Sequence, residues 1–405
     1  MIGNDMTEKI MNNFQKKFFS DKVLLVLTPC YPNKDTSVIG DMFVKTQLDE
    51  IRKYFKKIIV ISPILFSLGL FSKDRLCRDY AYENIEVYYP RCYYIPIFWS
   101  GPFVIDNRVT VIDKFILDKK LTFDLIHSHF TWPFAYIGLK LKEKYRKPVI
   151  TTIHENGDWF NQEVQMAHPL INLSWSANDA LIRVNQKDIP ILQRYNKNVY
   201  AIPNAFSPAF HPVDMRIARK NLSISMDSKI IFSLGFLIKR KGFNYLIDAM
   251  KQISNQRPDV VCYIGGVGPD RSSLQVQIDR LNLKHKVFLL GSIPGDQLTF
   301  WINASDLFVL SSLNEGNPTV MFEVLGCGKP FIGTNVGGVP EVISSENYGI
   351  LVEPANTSDL AKKIMNALDR DWDRDTILAY AEQYSAENIA KKIIDVYLDV
   401  LRRNK

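Results

Sequence analysis

A chain of 405 residues is too long for one ordinary domain and comfortable for two, and with 46% apolar and 23% charged residues each half can bury a full core. The net charge of +7, from 50 Lys plus Arg against 43 Asp plus Glu, suits a polyanionic small molecule or an anionic membrane surface; no basic run carries a nucleic-acid-binding pattern, so no nucleic acid is expected as a partner. Five scattered cysteines without a C-x-x-C pair suggest neither a zinc site nor a disulfide framework, and fit a reducing cytoplasm.

The start, Met1 to Asp21, sets Lys9, Lys16 and Lys17 among Ile10, Met11, Phe14, Phe18 and Phe19. It lacks the uninterrupted apolar stretch of a secretory leader, so a cytoplasmic protein is expected. Val23 to Thr28 is a continuous apolar run, as in a strand buried on both faces. A loop rich in Pro, Asn, Asp and Ser follows, Pro29 to Gly40, then a helical pattern from Met42 to Phe55 and a second strand, Ile58 to Ser62. The longest apolar run, Ile58 to Phe71, is broken by Ser62, Pro63 and Ser67 and is too short to span a bilayer. Tyr88 to Val104, crowded with aromatics and prolines, reads as an acceptor-binding or membrane-touching loop, or else as a packed connector. Strands at Asp124 to His127 and Val149 to Ile153 flank a helix near Ala135 to Tyr145, the rhythm of a parallel sheet.

The second half repeats the rhythm. Lys229 to Leu234, Val260 to Ile264, Val287 to Leu290, Leu307 to Leu310 and Pro330 to Gly333 read as five strands, with a helix over Gly242 to Ile253. The joint falls near Ile202-Pro203-Asn204. This predicts an α/β protein of two Rossmann-like, doubly wound domains, residues 1–204 and 205–380, with a C-terminal helix within 381–405 packing back towards the first. Ligands of such sheets bind at the carboxyl ends of the strands, and a cleft between two sheets is the expected site.

The most informative stretch follows the strand ending at Leu310. In Asn314-Glu315-Gly316-Asn317-Pro318-Thr319-Val320, Asn317 is a good N-cap and Pro318 fits the first helical position. The amides of Thr319, Val320 and Met321 would then point out of a helix N-terminus, a ready-made site for a diphosphate. Glu315 in the loop and Glu323 down the helix are acceptor-only carboxylates, each suited to holding hydroxyls. Earlier, Gly235-Phe-Leu-Ile-Lys239-Arg240-Lys241-Gly242 gathers cations at a strand end, where they would neutralise a leaving phosphate. Gly40 closes the first strand-to-helix loop and can bring its amide to a phosphate. His127 and His129 lie two apart at a strand end and would share one face; they have no third metal ligand nearby in sequence. Asp371-Trp-Asp373 has the form of a metal-binding D-x-D but sits far from any strand end and is read as chance, so no metal is expected.

Glu315-Gly-x-Pro with a second carboxylate at Glu323 resembles the E-x7-E element of the family 4 retaining glycosyltransferases of the GT-B fold, the glycogen-synthase-like and mannosyltransferase-like enzymes also called glycosyl transferases group 1. Gly326-Cys-Gly328-Lys-Pro330, Val336-Gly337-Gly338-Val-Pro340-Glu341 and Tyr348-Gly-Ile-Leu-Val-Glu-Pro354 resemble the family's continuation. The resemblance implies a hexosyltransferase whose substrate is a nucleotide-diphosphate sugar and which needs no cofactor or metal. It implies that Glu315 contacts donor-sugar hydroxyls, Glu323 the ribose, and the backbone of Gly316, Asn317, Thr319 and Val320 the donor. Lys241 matches a family lysine facing the diphosphate, and Arg240 or Lys239 is expected to supply the charge of a family arginine replaced here by Phe236. Gly40, with Phe43 and Gln47, resembles the family's first loop. His129 matches a residue beside the reacting sugar, His127 is expected to be structural, and His154 matches a position at acceptor or donor. Retention at the anomeric carbon is implied, by front-face attack in which the leaving phosphate helps deprotonate the acceptor.

A nucleotide-sugar epimerase can share this fold, but the E-x7-E run does not favour it. A dinucleotide oxidoreductase would want G-x-G-x-x-G, and Arg271 stands where the last glycine would be. A non-catalytic GT-B subunit that binds a nucleotide or a partner is the remaining alternative, and Phe236 supports it. The basic, aromatic start and the segment near Tyr93 point to a glycan or lipid-linked acceptor on the inner face of the cell membrane, as in cell-envelope polysaccharide synthesis, with the protein peripheral there.

Overall fold

The computed structural model describes residues 2–36, 38, 40–66, 77–93 and 102–404. Part of the Tyr88 to Val104 segment, residues 94–101, and the end of the Ile58 to Phe71 run therefore lie outside the described residues. The chain divides into two compact units: residues 1–203 joined by 386–405, and residues 204–385.

The first unit contains β1 (Val23–Leu27), β2 (Lys57–Ile61), β3 (Ile64–Phe66), β4 (Tyr80–Tyr82), β5 (Ile85–Tyr88), β6 (Arg91–Tyr93), β7 (Leu125–His129), β8 (Val149–Ile153), β9 (Ala180–Arg183) and β10 (Val199–Ala201). Eight of them form one sheet in the order β10-β9-β8-β7-β1-β2-β5-β4, and β3 pairs with β6. Every pairing in the large sheet is parallel except β4 with β5. The central strands β1, β7 and β8 are buried on both faces, which is why β1 reads as an unbroken apolar run. The final helix, Ala386–Arg403, belongs to this unit. Its Tyr397 hydroxyl lies 2.6 Å from His127 Nδ1 on β7, Gln15 donates to Asp395 at 2.5 Å, and the Tyr200 hydroxyl donates to Asp399 at 2.5 Å.

The second unit contains β11 (Lys229–Leu234), β12 (Val260–Gly265), β13 (Val287–Gly291), β14 (Leu307–Leu310), β15 (Phe331–Thr334) and β16 (Gly349–Val352). They form a six-stranded, wholly parallel sheet in the order β13-β12-β11-β14-β15-β16. The sixth strand, beyond the five expected, is a four-residue edge strand that opens on Gly349. Helices pack apolar stripes on the sheet; Phe243–Gln256 buries Phe243, Leu246, Ile247, Ala249, Met250 and Ile253, spaced at helical period.

Among its parallel strands each sheet reverses its order once. In the first unit the reversal lies between β1 and β7, in the second between β11 and β14. The loops leaving those strands diverge and leave a crevice at their carboxyl ends.

Candidate functional site

In the second unit the two switch-point loops are laced together. Leaving β11, the chain makes a short 3-10 turn over Lys239–Lys241 and passes Gly242 at φ +63°. A Cβ on Gly242 would sit 2.1 Å from the Ser311 carbonyl oxygen, so only glycine lets the β11 loop approach the β14 loop this closely. The Leu313 amide donates to the Arg240 carbonyl at 2.7 Å, and the Ser311 hydroxyl to the Lys241 carbonyl at 3.2 Å.

This lacing brings the sequence-predicted charges into one cluster. Glu315 is only 5% exposed. Its Oε1 accepts from Lys241 Nζ at 2.5 Å and from the Ser312 hydroxyl at 2.6 Å, and its Oε2 from the Arg240 guanidinium at 3.3 Å. The same guanidinium nitrogen donates to the Asn314 carbonyl at 2.8 Å. Two cations meet one carboxylate, leaving an excess positive charge at the switch point. Gly337, at φ +59°, lets the following loop press against this turn: a Cβ there would fall 2.2 Å from the Glu315 carbonyl oxygen, and the Gly338 amide donates to the Gly316 carbonyl at 2.7 Å. Phe236, 53% exposed, stands on the same loop as Lys241.

The helix beside the cluster is Thr319–Gly326, with Pro318 in the cap position and no side-chain cap. The expectation that Asn317 caps it, with Pro318 as first helical residue, is corrected: the Asn317 side chain is spent on the Asn204 amide at 3.2 Å, and its carbonyl accepts from Asn204 Nδ2 at 2.8 Å. The Met321 amide, expected to be free, donates to the Pro318 carbonyl at 3.1 Å. The amides of Thr319 and Val320 meet no acceptor among the described residues and keep the anion-binding character of a helix start. Glu323 lies one turn further on, where burial pushes its carboxyl up to about 7.

In the first unit, β7 runs two residues past the expected end, so His127 and His129 both lie in it, on one face with ring centroids 4.2 Å apart. His127 is fully buried and uses both ring nitrogens, on Tyr397 and on the Thr152 hydroxyl at 2.7 Å; burial lowers it to about 3. His129 Nδ1 faces His154 Nε2 at 2.9 Å, and burial holds both rings neutral, well below the usual histidine value. His129 Nε2 and His154 Nδ1 remain without a partner. With one nitrogen of each ring engaged by the other, the free nitrogens form one donor and one acceptor. Phe43 packs on His154 at 4.6 Å, so the helix after the first loop reaches the same place. Gly40 stands at φ +50°, where a Cβ would lie 2.3 Å from the Cys30 carbonyl oxygen, and Asp41 ties the loop back by accepting from the Thr28 hydroxyl at 2.8 Å. Gln47 is buried with Oε1 unpartnered.

Asp373 accepts from the amides of Asp375 and Thr376 and so caps the helix Arg374–Ala381. Among the described residues no group of three or more His, Cys, Asp or Glu is placed to hold a metal ion. Sequence reading passed over two buried carboxyls, Glu155, which follows His154 in the chain, and Glu163. The available signal was a carboxylate three residues after Phe160 on the helix Gly157–Met166, hence on its buried stripe.

Two doubly wound units with parallel sheets, the second with a cation–carboxylate cluster and a helix N-terminus at its switch point, define the GT-B class of α/β protein. The chain belongs to the group 1 glycosyltransferases: residues 214–384 match the family described as Glycosyl transferases group 1, and residues 71–210 that described as Glycosyltransferase Family 4. It is similar to an uncharacterized glycosyltransferase of Methanocaldococcus jannaschii, 30% identical over 307 residues that cover 69% of this chain and 78% of that protein. A Bacillus subtilis protein named for teichuronic acid biosynthesis, the glycosyltransferase TuaC, is 25% identical over 365 residues, 84% of this chain and 88% of its own. In structure the chain is similar to HepE of Anabaena, solved in complex with UDP, with a TM-score of 0.69 at 18% identity over 93% of this chain and 100% of that one. The protein is thus a transferase.

Proposed function

We propose that this glycosyltransferase moves a hexose-type sugar from a nucleotide-diphosphate sugar, with retention at the anomeric carbon, to a lipid-linked or polysaccharide precursor in cell-envelope glycan synthesis. The observation that carries the reading is the Lys241–Arg240–Glu315 cluster beside the unpartnered Thr319 and Val320 amides. Charge building on a leaving diphosphate is stabilised by fixed cations and helix-start amides that need no reorganisation. In this assignment Glu315 orients the two cations and faces the sugar hydroxyls, and Glu323 takes the ribose hydroxyls. His129 hydrogen-bonds to the reacting sugar and His154 to the acceptor or donor. The leaving phosphate takes the acceptor proton, so the protein supplies positioning and electrostatics rather than a carboxylate nucleophile, and no metal or cofactor is required. The UDP in the HepE complex supports a nucleotide-sugar donor, and the name of TuaC supports an envelope acceptor.

Peripheral attachment to the inner face of the membrane is part of the same proposal. Among the described residues no helix is long and apolar enough to cross a bilayer. The helix Ile2–Phe19 exposes Ile10, Met11 and Phe14 together with Lys16 and Lys17, the makings of an interfacial helix. The protein is expected to sediment with anionic vesicles and to be released by salt; equal recovery in the supernatant with and without vesicles removes the membrane part.

The reaction is tested by incubating the protein with UDP-, GDP- and ADP-sugars and following the anomeric proton by NMR. Slow release of a free sugar in the donor's own anomeric form from one donor supports retaining transfer. First release of the opposite anomer contradicts retention, and consumption of none of them with any acceptor contradicts the donor class.

A further inference from the structure

The helix Thr319–Gly326 starts without a side-chain cap although the chain before it carries one. Asn317 followed by Pro318 is a capping residue followed by a residue suited to the first helical position. A capping residue acts twice. Its carbonyl accepts the amide four positions on, here Met321, and its side-chain oxygen accepts the amide two or three positions on, here Thr319 or Val320. In the structure both groups of Asn317 go to Asn204 instead. The Asn204 amide donates to Asn317 Oδ1 at 3.2 Å, and Asn204 Nδ2 donates to the Asn317 carbonyl at 2.8 Å. Met321 turns to the Pro318 carbonyl at 3.1 Å, and Pro318 stays extended at ψ 119°.

Asn204 is itself fixed. Two residues on, the Phe206 amide donates to the Tyr384 carbonyl at 3.1 Å. The Phe206 ring lies so close to the far end of the same helix that a Cβ on Gly326 would fall 2.6 Å from its Cδ2. The segment 204–206 therefore grips the helix at both ends. The grip is not the best-bonded arrangement open to these residues. Asn204 is 5% and Asn317 7% exposed, and Asn204 Oδ1 and Asn317 Nδ2 are buried without a partner among the described residues. Two orphaned polar atoms and an uncapped helix cost stability, and local sacrifices of this kind gather at functional sites.

We infer that Asn204 is a positioning residue for the donor: by holding both groups of Asn317 it withholds the cap from the helix Thr319–Gly326 and keeps the Thr319 and Val320 amides open to a diphosphate. The inference rests on the proposed reading of those amides as the diphosphate site. A capped helix would start one residue earlier, and Asn317 Oδ1 would occupy an amide that the phosphate needs. The ligand would then have to displace that oxygen, so its apparent affinity would fall by the fraction of molecules left uncapped.

Hydrogen exchange of the full chain without ligand, read by NMR, tests the withheld cap. In Asn204→Ala the Asn317 carbonyl is released, and the amides of Thr319 and Val320 are expected to exchange more slowly than in wild type; unchanged exchange at both overturns the inference. Asn204→Leu, of similar shape and without the donor, repeats this readout should the alanine variant not fold. Calorimetric titration with UDP, GDP and ADP reads the consequence. Asn204→Ala is expected to weaken the nucleotide that binds wild type by roughly fivefold, the order of one cap bond. Asn204→Ala/Asn317→Ala is expected to regain most of that affinity, because alanine offers no capping oxygen, while melting below the single variant. A double variant that binds more weakly than Asn204→Ala overturns the positioning role, since a purely structural contact gives that order. Slowed exchange in Asn204→Ala, with no binding of the three nucleotides to wild type, overturns the donor reading and the positioning role but not the withheld cap, so the two failures differ.

Discussion

Lys241 neutralises a carboxylate almost sealed from water, so removing it is costly in two ways. Lys241→Ala leaves Glu315 with the Ser312 hydroxyl and a guanidinium at 3.3 Å. A loss of about 2 kcal/mol is expected by chemical denaturation, and a fall of roughly 100-fold in kcat from the missing stabilisation of the diphosphate; full stability with full turnover contradicts both roles. Glu323 gives a pH signature. Its carboxyl is pushed up to about 7, so it is largely protonated in mild acid and becomes a pure acceptor as pH rises. Nucleotide affinity measured by calorimetry is expected to tighten across neutrality in the wild type and to stay flat in Glu323→Gln. Sequence reading singled out Lys241, Glu315 and Glu323 because they follow strand ends and because the spacing of the two carboxylates resembles the family's E-x7-E element. The Asn317 cap was misread because Asn204, more than a hundred positions away, competes for its side chain, and local pattern carries no sign of that.

At the scale of elements, the site depends on loops that touch backbone to backbone. Gly242→Ala would force a Cβ to 2.1 Å from a carbonyl oxygen at positive φ, and is expected to cost about 1–3 kcal/mol and to weaken nucleotide binding together with stability. Loss of one without the other would separate the turn from the site. The strands β1, β8, β11 and β14 were readable because central parallel strands are apolar on both faces. The end of β7 was not, since Ser128 and His129 read as loop polarity; they are buried because β7 lies between β1 and β8. The hold of Glu155 on the Thr131 amide stayed hidden for the complementary reason: two loops 24 positions apart meet only in the fold.

At the scale of the molecule, the last helix belongs with the first unit although the whole second unit intervenes in the chain. The Tyr397 hydroxyl is the partner of His127 Nδ1 in the buried interior. Tyr397→Phe orphans that nitrogen and is expected to cost the first unit about 1–3 kcal/mol while leaving the second unchanged. Scanning calorimetry with and without nucleotide reads this, because a ligand of the second unit should raise the melting of that unit alone in wild type and variant alike. The most direct test of the account is a thermal-shift screen against UDP, GDP, ADP and their sugar conjugates on the wild type, Glu323→Ala and Lys241→Ala. A nucleotide bound by the native state must raise its melting temperature by mass action. The account predicts that one nucleotide family stabilises the wild type and neither variant; equal stabilisation of all three proteins, or of none by any nucleotide, would contradict it.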